Sequence, residues 1–216
     1  MAGRYHSLDD LPQTLGIFPL TGVLLLPRGA LPLNVFEPRY LALVEAALSG
    51  SRLIGMIQPV EHEDKALKPA LSAIGCAGRI TAYRETDDNR YLITLTGICR
   101  FRVASELATD QPFRQVTADY APFAGDLVEG DDSEFPRERM LAALQEYLTR
   151  RELKADWRSV MNAPAETLVN ALAMLCPFEP AEKQALLEAP GWQERVHTLL
   201  ALLEMASAGT GPSTVN

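Results

Sequence analysis

Prolines and glycines cut the stretch from Ile17 to Tyr40 into short pieces, and this punctuation constrains the fold more than any other feature. Three apolar runs, Ile17–Leu20, Val23–Leu26 and Leu31–Phe36, are interrupted or stopped by Pro19, Gly22, Pro27, Gly29 and Pro32. Proline cannot donate to a sheet ladder, so these runs read as short strands that bend or sit at an edge. The pattern changes at Phe36-Glu37-Pro38-Arg39-Tyr40, beyond which Leu41 to Leu48 is helix-forming. Pro38 suits the first helical turn, where its missing N–H is not needed, and Glu37 suits the positive helix end. Ser49-Gly50 is the natural stop.

Further strands are expected over Arg52–Gln58, Ile74–Tyr83, Tyr91–Thr96, Gly97–Val103 and Phe113–Tyr120. Glycines in the second of these mark places where a barrel strand can bend. The polar residues Glu85–Arg90 form a hairpin turn, and Pro59–Pro69, with His62 and Asp64, reads as a solvated connector. Periodicity alone makes residues 15–120 a mixed antiparallel sheet with one helix, after a flexible lead-in over 1–14. The acidic, glycine-containing stretch 121–132 reads as a linker.

Beyond it, apolar residues recur at helical spacing. Met140, Leu141, Leu144, Tyr147 and Leu148 make one stripe. Trp157, Val160 and Met161 follow Asp156; Leu168, Leu172 and Leu175 follow Pro164; Leu186 and Leu187 follow Pro180; Trp192, Val196, Leu199, Leu200 and Leu203 follow Pro190. The fold class is therefore α+β, a β-rich lobe with one or two helices followed by an all-helical lobe over 133–205. The Gly-, Ser- and Thr-rich end, 206–216, reads as disordered.

Composition narrows the partners. A formal net charge of −8 disfavours nucleic acid and anionic membrane, whose binding needs concentrated Lys and Arg. Residues 1–10 lack the apolar core of a signal peptide, and no stretch of about 20 apolar residues can stay helical across a bilayer. The expected location is the cytoplasm. Cys76, Cys99 and Cys176 are odd in number with no Cys-x-x-Cys, and His6, His62 and His197 lack ligand spacing. Neither a disulfide framework, a metal site nor a cofactor is expected; oligomeric state is not legible.

Phe18-Pro19-Leu20, the later Pro27-x-x-x-Leu31-Pro32-Leu33, and Phe36-Glu37-Pro38-Arg39-Tyr40 together resemble the start of the Lon protease N-terminal (substrate-binding) domain family. The likeness continues through Ile74-Gly75-x-x-Gly78-Arg79-Ile80, Thr96-Gly97-x-x-Arg100-Phe101 and Pro112-Phe113. It extends into the helical half at Ala171-x-x-x-Leu175, Glu182 to Glu188 and Arg195, and so covers about 15–204. The resemblance implies a small twisted PUA-like β-barrel and a module that binds client or unfolded polypeptides. It also implies a role in protein quality control or as an adaptor, with an ATP-dependent protease as a partner. The PUA-like likeness leaves RNA binding as an alternative, and an unrecognised hydrolase as a second.

Full-length Lon proteases add an ATPase and a Ser–Lys peptidase. These 216 residues hold no Gly-x-x-x-x-Gly-Lys-Ser/Thr loop, and none of the four lysines lies in a recognisable peptidase context. The expectation is a stand-alone, non-enzymatic member with no catalytic residue. Phe18, Leu20, Phe36, Tyr40, Met56 and Tyr83 are candidates for an apolar groove, though Phe18 and Phe36 read better as core. Glu37 with Arg39, Arg79, Arg100 or Arg102 is either a polar mouth for a peptide or a framework pair pinning the helix start to the sheet. Flanking apolar residues favour the framework, with Arg100 buried beside the Pro38 helix and Glu37 as a candidate partner.

Overall fold

The protein is described here by a computed structural model covering residues 5–60, 68–128 and 133–208. Six strands, β1 (Thr14–Pro19), β2 (Ala30–Val35), β3 (Leu53–Ile57), β4 (Ile74–Glu85), β5 (Tyr91–Leu107) and β6 (Gln115–Asp119), form a mixed sheet. Its order is β2-β5-β4-β3-β1-β6, and a further β5–β6 pairing closes the last five strands into a barrel. β5 makes closure possible because it is 17 residues long. Its first half pairs with β2 and β4, while its second half reaches β6. The runs Tyr91–Thr96 and Gly97–Val103 are thus one continuous strand. A single parallel pair, β1 with β3, lies among antiparallel ones.

Phe101 fills the barrel, fully buried with Leu15, Ile17, Ala77, Cys99 and Val116. It lies opposite Gly75, where a Cβ would come 2.7 Å from its ring. Only a residue without a side chain leaves space for that ring. A register shift between Ala77 and Gly78 supplies the bend.

Helix α1 (Pro38–Ser49) starts at Pro38 and is capped by Gly50. Its Tyr40, Leu43, Val44 and Ala47 are buried. The middle apolar run, Val23–Leu26, is not a strand: Leu24, Leu25 and Leu26 are all buried in irregular chain. A strand would turn alternate leucines outward; this segment has sheet on one side and helices on the other. It packs so closely on β5 that a Cβ at Gly97 would lie 2.0 Å from the Leu26 carbonyl oxygen.

The lead-in is tied down from Leu11 onward. Leu11 is buried, Ala118 N–H donates to Gln13 O, and the Tyr120 hydroxyl donates to Pro12 O. Residues 121–127, read from composition as the first part of a linker, form a 3-10 helix with Phe123 and Asp126 buried. Residues 129–132 of that stretch lie outside the described residues, as do 61–67 of the polar connector and most of the terminal stretch, 209–216.

The helical half comprises α2 (Arg137–Arg150), α3 (Trp157–Asn162), α4 (Ala165–Leu175), α5 (Pro180–Glu188) and α6 (Trp192–Ala208). Asp156 caps α3 by accepting from the N–H groups of Arg158 and Ser159. Met140, Leu144, Tyr147, Leu168, Leu186, Leu199 and Leu203 join Phe18, Leu24–Leu26, Val44 and Ile54 in one apolar cluster. Helices and sheet therefore share a core. Leu175 is the exception to its stripe, 81% exposed at the end of α4. No helix among the described residues is long and apolar enough to cross a membrane.

Candidate functional site

The start of α1 holds several of the sequence-predicted side chains and separates them. Phe18 and Met56 are buried. The Phe18 ring stacks on Tyr40 at 3.9 Å, and the Arg39 guanidinium lies 4.5 Å over the other ring of that pair, Tyr40. Leu20 is half-buried against the core. Phe36 is not core: it is 60% exposed, and so is Tyr83 at 42%. The six apolar candidates thus do not line one groove; four pack on or in the core and two face solvent.

Phe36 and Tyr83 stand near the β4–β5 hairpin. Val35 pairs with Tyr91, Tyr91 pairs with Glu85, and the Tyr83 and Tyr91 rings meet edge-on at 5.1 Å. The Arg90 guanidinium lies 5.6 Å from the Phe36 ring while its Nε holds Asp88 at 2.8 Å. The Tyr91 hydroxyl donates to Glu45 Oε1 on α1 at 2.8 Å, which pushes its pKa up, because the hydrogen bond favours the neutral phenol. Arg90 thus rims the Phe36 ring, and Tyr83 and Tyr91 form an aromatic pair of their own.

On the other side of the helix start, Pro19, Arg39, Tyr40, Leu107, Phe113 and Arg114 line a groove of about 380 Å³. Arg114 grips Glu106 with Nε and Nη2, both at 2.9 Å, and Lys68 Nζ adds a contact at 2.9 Å. Those cations hold the Glu106 carboxyl down at about 2.

The charged constellation resolves differently from the sequence expectation. Glu37 pairs with its neighbour Arg39 at 2.8 Å on the surface. Arg79 donates to the Tyr5 hydroxyl at 3.1 Å, and Arg102 is exposed. Arg100 is buried, 3% exposed, but at a seam with the helical half rather than at α1. Its carboxylate is Asp126, and it also donates to the Leu187, Ala189 and Pro190 carbonyls. The Phe123 ring lies 4.6 Å beneath it.

Other side chains stitch the same seam, and composition gave no sign of them. Arg28, in the left-handed region at φ 64°, pairs with Glu166 on α4 and donates to Asp126 O. Asn170 donates to Pro27 O, Lys183 to Gly22 O, and Gln58 to Pro180 O. Gln184 returns a hydrogen bond to Ile74 O. The acceptors are backbone carbonyls distant in sequence, in irregular chain at Gly22 and Pro27 and at the first residues of β4 and α5, which is why these donors carry no local spacing.

Residues 14–205 match the family model described as the ATP-dependent protease La (LON) substrate-binding domain. The chain belongs to this Lon family. It is 26% identical over 200 residues, 87% of the chain, to the Lon protease of Flavobacterium johnsoniae. It is 28% identical over 219 residues to the peroxisomal Lon protease homolog 2 of Danio rerio. These alignments span only 23% and 26% of those relatives' lengths. Among solved structures, the Lon N-terminal domain protein from Xanthomonas campestris superposes with a TM-score of 0.58 at 26% identity. That match covers 87% of this chain and 97% of the other. The N-terminal domain of Mycobacterium avium complex Lon protease superposes at 0.61 over 90% and 98%, with 16% identity, a likeness of fold. The PUA-like α+β architecture expected from the Lon resemblance is the one observed.

Proposed function

We propose that this chain is a non-catalytic polypeptide-recognition module acting in the cytoplasm, which presents client segments to an ATP-dependent protease. The observation that carries the reading is Phe36. In a chain of the Lon substrate-binding family, a large aromatic in the Phe36-Glu37-Pro38-Arg39-Tyr40 motif stands 60% exposed with the Arg90 guanidinium 5.6 Å from its ring, and the hairpin that bears Arg90 carries another exposed ring, Tyr83. An apolar side chain placed in a motif and left in water, next to a cation, is the expected anatomy of a contact for exposed hydrophobic segments. Arg39, with the adjoining groove of Tyr40 and Phe113, supplies polar and further apolar contact. The β-rich half, 15–120, carries the client surface, and the helical half, 133–205, braces it.

The test is fluorescence anisotropy with a permanently unfolded labelled polypeptide, its folded counterpart and a single-stranded RNA. Saturable binding of the unfolded chain alone, weakly dependent on salt, is the expected result. Preferential RNA binding that falls steeply with salt, as counterion release requires, would replace this function with nucleic-acid recognition.

A further inference from the structure

The seam holds three guanidinium groups against two carboxylates. Arg28, Arg100, Arg195, Asp126 and Glu166 all line one cavity of about 200 Å³. Arg28 is matched to Glu166, and Arg100 to Asp126. Arg195, on α6, is the third cation. It is 3% exposed; its Nε donates to Leu186 O at 3.2 Å, and its Nη2 is buried with no hydrogen-bond partner among the described residues. Burial and the nearby Arg100 charge hold its pKa down at about 10, so it stays protonated at neutral pH. Asp126 acts on it as a shared counter-charge already engaged by Arg100. A buried charge without a full partner is costly.

A second feature converges on the same space. Pro190, Gly191 and Trp192 line the cavity, and Trp192 is the first residue of the 17-residue α6. The N-terminus of a helix offers free N–H groups and positive potential to an anion. Glu194, in that first turn, lies against Gly191 but does not line the cavity. The volume far exceeds the ~10–15 Å³ that one water needs.

We propose that this cavity binds a small oxyanion of the phosphate class, held by Arg195 and the start of α6, which supplies the missing counter-charge and locks the helical half to the barrel. Two-pronged donation from guanidinium suits such an anion better than chloride.

Trp192 on the cavity wall provides the readout. In a Trp157→Phe background Trp192 is the sole tryptophan. Its emission is titrated with inorganic phosphate at constant ionic strength, with chloride as the balancing ion. A saturable change is expected, with affinity falling at least ten-fold in Arg195→Gln and also falling in Arg28→Gln. Arg139→Gln, at an exposed pair between α2 and α6, is expected to bind as the parent does. Circular dichroism checks folding of each variant, and Arg28→Gln carries the test if Arg195→Gln unfolds. No saturable response to phosphate beyond that to chloride overturns the proposal, as does equal affinity in the folded cavity variants.

Discussion

Arg100 and Asp126 form a buried two-pronged ion pair, Nε to Oδ2 at 2.9 Å and Nη2 to Oδ1 at 2.8 Å. Asp126 Oδ2 also accepts from the Arg100 backbone N–H, so one carboxylate fixes both the strand and the side chain. The remaining guanidinium donors reach carbonyls at the end of α5 and just beyond it. One residue thereby joins β5, the 3-10 helix and the helical half.

Arg100→Ala strands the Asp126 carboxylate inside. Breaking a buried pair from one side costs about 3–5 kcal/mol, and this is the loss expected in a urea melt. Arg100→Lys is expected to lose much of the same stability, because an ammonium cannot serve both carboxylate oxygens and the carbonyls together. A midpoint unchanged in both variants would exclude the framework role.

The burial of Arg100 was legible in the sequence, since it sits between the apolar Cys99 and Phe101 in a strand with apolar neighbours. Its partner was not. Asp126 lies in a stretch whose acidic and glycine content looks like solvated linker, and a carboxylate's burial there is decided by a strand 26 residues away. Val23–Leu26 failed for a related reason: a short apolar run reports burial but not backbone conformation, and two packed layers around it removed the need to alternate. Helix limits read well because Pro38, Asp156, Pro180 and Gly50 act locally. Phe36 misled because an aromatic is usually buried, and composition does not report which aromatic stays exposed.

The seam and the shared core couple the two halves, and the three thiols report it. Burial pushes Cys99 up to about 12 and Cys176 up to about 11, and raises Cys76 well above its usual value. The thiolate is the reactive form, so an aromatic disulfide reagent at pH 8 is expected to leave all three untouched in the native state. In a urea series Cys76 and Cys99 of the sheet should become reactive together with Cys176 of the helical half. Modification of Cys176 at distinctly lower urea would show that the helices open alone.

Glu106 sets an acid limit. Its pKa is lowered from 4.5 to about 2 in the folded state by Arg114 first and Lys68 next. A depressed carboxylate stabilises above its unfolded value and loses that contribution as pH falls through its folded value. The Arg114–Glu106–Lys68 contribution is therefore whole above about pH 4.5 and disappears towards pH 2. Comparing melting temperatures of wild type and Glu106→Gln across pH 2–6, the gap between them is expected to narrow as pH falls. A constant gap would show that the pair does not titrate in this window.

Substitution of Phe36 tests the proposed recognition role apart from stability. At 60% exposure it contributes little to the core, and surface substitutions ordinarily change stability by no more than about 0.5 kcal/mol. Phe36→Asp is therefore expected to keep the parent melting temperature while weakening capture of an unfolded polypeptide at least ten-fold, about 1.4 kcal/mol. Tyr83→Ser should act in the same direction, and Arg90→Gln more weakly, since its guanidinium rims the Phe36 ring without burying it. Leu175→Asp is the control: it is the more exposed side chain, 81%, yet belongs to a groove beside α4 with Ala30, Ala171 and Met174. If Leu175→Asp abolishes binding and Phe36→Asp does not, the client surface lies along α4. If neither changes it, exposed apolar side chains are not how this domain holds its clients.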